Sequence, residues 1–146
     1  LLYESALLAE KLGRHEAMEA SLRKLIRLKP EHAHAYNALG YSFAERNQRL
    51  EEAEQLALKA LQLSPDDPFI IDSMGWVLYR KGDNQGALTH LQRAFSIRPD
   101  PEISAHLGEV LWALGRRDEA KRIWQEAAKA HPGNEVLAEV IKRFAP

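Results

Sequence analysis

The chain has 146 residues, of which 45% are hydrophobic and 28% are charged, and its 20 Lys and Arg residues nearly balance its 21 Asp and Glu residues. A net charge of −1 gives no positive field to attract nucleic acid or an anionic membrane, which argues against both functions. The chain has no cysteine, which excludes disulfides, zinc–thiolate sites and thiol catalysis within these residues. It also has no apolar run of about 18 residues, so we expect no direct membrane insertion by this segment.

Prolines divide the chain at nearly equal intervals. Pro30, Pro65, Pro99 and Pro132 are separated by 35, 34 and 33 residues. The position twelve residues before each proline is also apolar, and three of the four are alanine: Met18, Ala53, Ala87 and Ala120. A fixed period near 34 residues is typical of a repeat array. Because stacked repeats present an extended surface and rarely enclose a catalytic pocket, the period favours binding over catalysis.

Each unit of this period predicts two helices. Apolar residues recur at helical spacing, and a polar or glycine-containing turn separates the two halves of each unit. In chain order the predicted units are a truncated repeat over 1–32, full repeats over 33–67, 68–100 and 101–133, and a last helix over 134–146. The second unit has one extra residue in its turn, Arg46–Arg49, and the fourth lacks one residue before its first helix. Both length changes fall in connections, so the helices keep their spacing.

Capping residues predict where three helices begin. Asp67 precedes Pro68, and Asp100 precedes Pro101, so each pair places a carboxylate before a proline in the first helical position. There the missing N–H of proline costs nothing, and the carboxylate accepts hydrogen bonds from unpaired amides. Asn134 predicts the start of the last helix in the same way.

Small residues recur inside the predicted helices. The first helices carry Gly40, Gly75 and Gly108, and we expect these glycines to face Ala53, Ala87 and Ala120 on the second helices. Two helices approach closely only where one side lacks a bulky side chain. Glycine inside a helix costs about 1 kcal/mol relative to alanine, so tight packing must offset that cost.

The last segment predicts a capping helix. Leu137, Val140, Ile141 and Phe144 form one apolar stripe, and charged residues occupy the other faces. Such a helix covers the last repeat and faces water on its other side. We therefore expect the array to end here. Since the chain begins inside a helical pattern without an initiator Met, we also expect it to be a piece from near the C-terminus of a longer protein.

The pattern resembles the tetratricopeptide repeat, whose framework reads W-x2-L-G-x2-Y and then A, F, A and P over 34 residues. The unit 68–100 matches that framework at Met74, Gly75, Leu78, Gly82, Ala87, Leu91, Ala94 and Pro99. The resemblance extends over nearly the whole chain. It implies an all-α fold: a right-handed superhelical solenoid of antiparallel helix pairs, forming a single array over 1–146 with a C-terminal capping helix.

The resemblance also implies a site. In such solenoids the first helix of each pair lines a concave groove. The family's groove positions give this set of predicted partner-binding residues: Asn37, Tyr41, Phe69, Asp72, Trp76, Tyr79, Arg80, Glu109 and Trp112. Aromatic side chains supply the large, stiff contact areas that dominate interface hot spots. The alternative is that these aromatic residues pack against adjacent first helices.

The implied function is a non-catalytic scaffold for protein–protein interaction, with no cofactor, no metal site and a protein or peptide as partner. Some tetratricopeptide modules clamp a terminal carboxylate with groove cations, which are mostly absent here. This groove instead suits a helix or an extended apolar peptide. The alternatives are a regulatory or substrate-recruiting arm of a larger enzyme and a co-chaperone-type module.

The segment 63–80 carries a more specific resemblance. Its amino-acid sequence is similar to C-terminal repeats of Gram-negative outer-membrane lipoproteins that act as adaptors of a carboxyl-terminal processing protease. That resemblance implies a location at the periplasmic face of the outer membrane, through an N-terminal lipid anchor absent from this segment. It also implies that the array binds and activates the protease and helps to deliver its substrates.

Overall fold

The computed structural model describes all 146 residues and contains helices only. The nine helices are α1 (Leu2–Lys11), α2 (His15–Leu28), α3 (Ala33–Glu45), α4 (Leu50–Leu63), α5 (Pro68–Arg80), α6 (Asn84–Ile97), α7 (Pro101–Ala113), α8 (Arg117–Ala130) and α9 (Glu135–Phe144). Short turns join α1 to α2, α3 to α4, α5 to α6 and α7 to α8, and α9 packs on α7 and α8. The predicted all-α arrangement of helix pairs is confirmed. None of these helices has the length and apolar character needed to cross a membrane.

The three predicted capping residues occupy the N-cap positions of α5, α7 and α9. The Asp67 carboxylate accepts a hydrogen bond from the amide of Phe69 at 2.9 Å. Asp100 accepts from the amide of Glu102 at 2.9 Å. Asn134 accepts from the amide of Leu137 at 3.0 Å. Each cap satisfies an amide that has no partner within its helix, and so fixes the start of a helix that faces the inner side.

Gly40 and Gly75 face the predicted partners. A Cβ added at Gly40 would lie 3.1 Å from the carbonyl oxygen of Ala53, and one at Gly75 would lie 3.2 Å from that of Ala87. At Gly108 the three atoms nearest to an added Cβ all belong to the indole of Trp124, which the Cβ would overlap. The fourth helix pair therefore uses its glycine to make room for a buried tryptophan.

The first helices of consecutive pairs lie side by side on the inner side of the solenoid. Helices α3, α5, α7 and α9 each contact the next in this series. The hydroxyl of Tyr41 on α3 even reaches past α5 to Glu102 on α7, at 3.2 Å. Helices two pairs apart can touch only if the array curves towards its first helices. This curvature produces a groove lined by α1, α3, α5 and α7.

Candidate partner-binding groove

A cavity of about 350 Å³, here called the N-terminal cavity, occupies the groove between α1, α3, α5 and α7. Its lining residues are Tyr3, Ala6, Leu7, Glu10, Met18, Leu22, Asn37, Ala38, Tyr41, Ser42, Glu45, Phe69, Asp72, Ser73 and Glu102. Asn37, Tyr41, Phe69 and Asp72 of the predicted set are among them. Met18 and Leu22 reach the cavity from α2, so the hairpin behind the groove supplies part of its floor.

A smaller cavity of about 190 Å³, here called the C-terminal cavity, lies between α3, α5, α7 and α9. Its lining residues are Tyr41, Glu45, Trp76, Glu102, Ala105, His106, Glu109, Val136, Glu139, Val140 and Arg143. Tyr41, Trp76 and Glu109 of the predicted set are among them. Both cavities share Tyr41, Glu45 and Glu102, so they adjoin and form one groove with a narrow junction.

A network of hydrogen bonds crosses the groove at this junction. Asp72 on α5 accepts from Nδ1 of His106 on α7 at 2.8 Å. Nε2 of His106 lies 3.2 Å from the hydroxyl of Tyr41 on α3. That hydroxyl also contacts the carboxylates of Glu45, at 2.9 Å, and Glu102, at 3.2 Å. The network therefore ties three consecutive first helices together where the two cavities meet.

Burial and charge shift the proton affinities of this network. Burial by itself would lower the pKa of His106, but the carboxylates of Asp72 and Glu102 more than compensate, so its pKa is raised. Burial raises the pKa of Glu102, although the nearby His106 partly opposes this effect. Burial and the adjacent carboxylates also raise the pKa of Tyr41. The junction thus favours one cationic histidine among several carboxylates, with Tyr41 as a neutral hydrogen-bond relay.

Comparison with known proteins identifies the repeats. Two models described as tetratricopeptide repeat match the chain, one over residues 3–68 and the other over residues 78–142. The chain belongs to the tetratricopeptide repeat family. The family resemblance expected from the sequence is therefore confirmed.

Curated relatives carry the same repeats in longer chains. The chain is 50% identical over 109 residues to a TPR repeat-containing protein of Pseudomonas aeruginosa, which covers 75% of this chain and 18% of that protein. It is 29% identical over 80 residues to small glutamine-rich tetratricopeptide repeat-containing protein 2 of Mycosarcoma maydis, covering 54% of this chain and 23% of that protein. The match spans less than a quarter of the length of either relative.

Solved structures share the fold. The chain superposes on a thermophilic TPR protein of Thermus thermophilus with a TM-score of 0.84 at 24% identity, covering 99% of this chain and 78% of the other. It superposes on an O-GlcNAc transferase of Thermobaculum terrenum with a TM-score of 0.79 at 24% identity, covering 89% of this chain and 25% of that one. The helix pairs therefore form a tetratricopeptide solenoid.

Trp76 lies within the packing between first helices. Its side chain is only 4% exposed and stacks on the imidazole of His106, with ring centroids 4.1 Å apart. Its indole Nε1 has no hydrogen-bond partner. Asp72 is similarly buried, at 3% exposure, because it pairs with His106. Trp76 therefore fits the alternative that the groove aromatics pack against adjacent first helices, since little of its ring faces the C-terminal cavity.

Tyr79 and Arg80 lie at the end of α5, beside the hairpin turns. Both line an open depression of about 340 Å³ together with Asn47, Asn84 and Ala113. The hydroxyl of Tyr79 donates to Glu109 at 3.1 Å, and burial together with that carboxylate raises the pKa of Tyr79 to about 12. The guanidinium of Arg80 donates to the carbonyl oxygen of Ala44 at 2.9 Å and so links α5 to the end of α3.

Trp112 lies outside these three cavities. Its ring stacks on Trp124 of α8 and tilts against Phe144 of α9, each with centroids 5.8 Å apart. The guanidinium of Arg117 lies 4.9 Å from the centre of the same ring. The structure therefore places Trp112 at the junction of α7, α8 and α9, apart from the other residues of the predicted set.

The predicted set omits His106, which is the centre of the junction network. Its spacing is a usable signal, because His106 follows Glu102 by four residues and precedes Glu109 by three. Residues three and four apart share one face of a helix. The buried partner, Asp72, comes from another repeat, and no local pattern within α7 reveals it.

Proposed function

We propose that this tetratricopeptide chain is a non-catalytic scaffold that holds a protein partner in the groove formed by the two cavities. Its family supports this proposal, since tetratricopeptide modules are in general protein-interaction scaffolds. The observation that carries it is the N-terminal cavity, a space of about 350 Å³ lined by the first helices of four consecutive pairs. Within the groove we assign partner contact to the half-buried Asn37, Tyr41 and Phe69, with the buried Asp72, Trp76 and Glu109 forming the wall behind them.

Site-specific photo-crosslinking tests this proposal. Phe69, on a first helix, lines the N-terminal cavity, whereas Phe95 is a similarly half-buried phenylalanine on the second helix α6. Each residue is replaced in turn by p-benzoyl-phenylalanine, and circular dichroism checks that both variants fold. We expect the Phe69 variant to crosslink a protein partner and the Phe95 variant not to. Equal crosslinking from both positions would contradict binding in the groove.

We further propose that the partner is a periplasmic carboxyl-terminal processing protease and its substrates, with the parent protein anchored at the outer membrane. The resemblance of segment 63–80 to lipoprotein adaptors supports this assignment. In this proposal the array activates the protease by binding it and brings substrates close to it. Tyr79, Arg80 and Trp112 then belong to the surfaces beside the groove that a large partner also covers.

The adaptor proposal has a direct biochemical test. The carboxyl-terminal processing protease of the same cell is purified, and its cleavage of a protein substrate is measured with and without the tetratricopeptide chain. We expect the chain to co-sediment with the protease and to accelerate cleavage, and heat-unfolded chain to do neither. If the folded chain neither co-sediments nor accelerates cleavage, the adaptor proposal is wrong, while the general scaffold proposal keeps its own crosslinking test.

A further inference from the structure

The charges of the groove are unevenly distributed. Of the fifteen residues that line the N-terminal cavity, four are acidic and none is Lys, Arg or His. The whole chain, in contrast, carries 20 Lys and Arg against 21 Asp and Glu. The basic side chains therefore lie outside this cavity. A concave surface with charges of one sign focuses the electrostatic field and attracts ligands of opposite charge.

Two carboxylates at the junction of the cavities, Glu45 and Glu102, form no ion pair within the chain. Asp72 is paired with His106, and Glu109 is paired with Arg143 at 2.5 Å. Glu45 and Glu102 instead converge on the uncharged hydroxyl of Tyr41. Glu45 is exposed, whereas Glu102 is half-buried, and the one basic side chain near Glu102 is His106, which is already paired with Asp72. A partly desolvated carboxylate without a counter-charge is unfavourable, and a cation supplied by a ligand would relieve that cost.

Apolar side chains lie directly beside these carboxylates. Leu7, Ala38 and Phe69 line the N-terminal cavity, and buried Leu22 forms part of its floor. The same cavity is wide enough for a large aliphatic or aromatic side chain. The occupant should therefore combine an apolar group with a nearby positive charge.

We propose that the groove binds an extended protein segment that places an apolar side chain in the N-terminal cavity and a Lys or Arg side chain between Glu45 and Glu102. This inference rests on the proposed scaffold function and adds the chemistry of the partner to it. The cation adds a second positive charge to a junction where His106 alone faces the carboxylates of Asp72, Glu45 and Glu102, and the apolar side chain covers the floor beside it. An acidic segment is rejected because it would bring further negative charge to carboxylates that are already unpaired.

A peptide selection tests the chemistry of the partner. Random twelve-residue peptides are displayed and selected on the biotinylated 146-residue chain, and each enriched peptide is then measured by fluorescence anisotropy. We expect enriched peptides to carry net positive charge and to contain apolar residues next to Lys or Arg. Replacing both carboxylates (Glu45→Gln with Glu102→Gln) should raise the Kd of these peptides about tenfold, since two charge-assisted contacts are lost. Raising the salt concentration should weaken binding to the unchanged chain.

A matched control variant separates local contacts from overall charge. Glu16→Gln with Glu126→Gln changes the net charge equally at two exposed positions on second helices and should leave the Kd unchanged. Enrichment of neutral or acidic peptides, or equal effects of the two double variants, would overturn the basic-partner inference. If no peptide is enriched, or enriched peptides fail to crosslink to p-benzoyl-phenylalanine at position 69, the proposed function itself is wrong.

Discussion

The two ends of the groove differ in how fully their neighbours cover them. At the N-terminal end the first helices leave a cavity of about 350 Å³ with partly exposed apolar residues. At the C-terminal end the cavity is about 190 Å³, and Arg143 from α9 closes on Glu109. Outside that cavity, Trp112 stacks on Trp124 and tilts against Phe144. An aromatic residue on a first helix is available to a partner only where the next helices leave it uncovered.

The two ends of the groove also differ in the residue that lies against the packing glycine of the first helix. A Cβ added at Gly40 would lie next to the carbonyl oxygen of Ala53 and the Cβ of Leu56, so the backbones of α3 and α4 approach closely at this point. Gly108 meets the fully buried indole of Trp124, whose Nε1 donates to the carbonyl oxygen of Ala105 at 3.3 Å. The C-terminal end therefore uses its aromatic residues as core. The N-terminal end keeps Tyr3, Tyr41 and Phe69 at the cavity surface.

The largest expected effect is that of an added methyl group at Gly108. In Gly108→Ala the new Cβ overlaps the fully buried Trp124 indole, so we expect a loss of about 3 kcal/mol in the free energy of unfolding. Gly40→Ala meets atoms at 3.1–3.2 Å, and we expect a loss of about 1 kcal/mol. Urea denaturation of the two variants measures both values. Equal losses would show that the two ends are packed alike.

Two aromatic truncations should separate stability from binding. Trp112→Ala removes a half-buried ring from the contacts with Trp124 and Phe144, so we expect a loss of about 2 kcal/mol in unfolding free energy and an unchanged Kd for a groove peptide. Phe69→Ala removes a ring from the cavity wall and should raise that Kd about tenfold. Denaturation and anisotropy measure the two effects. A weakened peptide affinity in Trp112→Ala alone would place the site at the C-terminal end.

The helix pairs could be predicted from the sequence because their signals are local. Proline spacing, the capping residues Asp67 and Asp100 and the recurring glycines each act within one repeat, and the structure confirms the helix starts that they predict. The groove was predictable only in part. Asn37 and Phe69 line it as the family positions imply, whereas the burial of Trp76 depends on His106 in the next repeat. Contacts between repeats are set by curvature, which no single repeat encodes.

The junction network should make stability depend on pH. The pKa of His106 is raised in the folded chain, while an unfolded histidine titrates near 6.5. The native state therefore binds more protons than the unfolded state above about pH 6.5, so the free energy of unfolding falls as pH rises through the folded pKa of His106. For one proton the slope is at most about 1.4 kcal/mol per pH unit. The buried Glu102, whose pKa is also raised, contributes a change of the same sign at lower pH.

Urea denaturation at several values between pH 6 and pH 9 measures this slope. His106→Gln should flatten it, because glutamine can donate to Asp72 but cannot titrate. The exposed His131 provides the control, and His131→Gln should retain the slope. Tyr41, Glu45, Asp72 and Glu102 face His106 from α3, α5 and α7. A slope that persists in His106→Gln would assign the pH dependence to other groups.

The smallest expected effect concerns the turn with the extra residue. The α3–α4 turn places Asn47 at φ 54° and Arg49 at φ 46°, whereas the α7–α8 turn uses Gly115 at φ 83°. Left-handed backbone is strained for most residues, moderately so for asparagine, and least for glycine. Asn47→Gly should therefore raise the free energy of unfolding by about 0.5 kcal/mol, and Asn47→Ala should lower it by about 1 kcal/mol. Since Asn47 lies outside both groove cavities, neither variant should change peptide affinity. Equal stability of the two variants would show that the backbone at position 47 is not strained. The α3–α4 turn would then not differ in strain from the α7–α8 turn, which has glycine at its left-handed position.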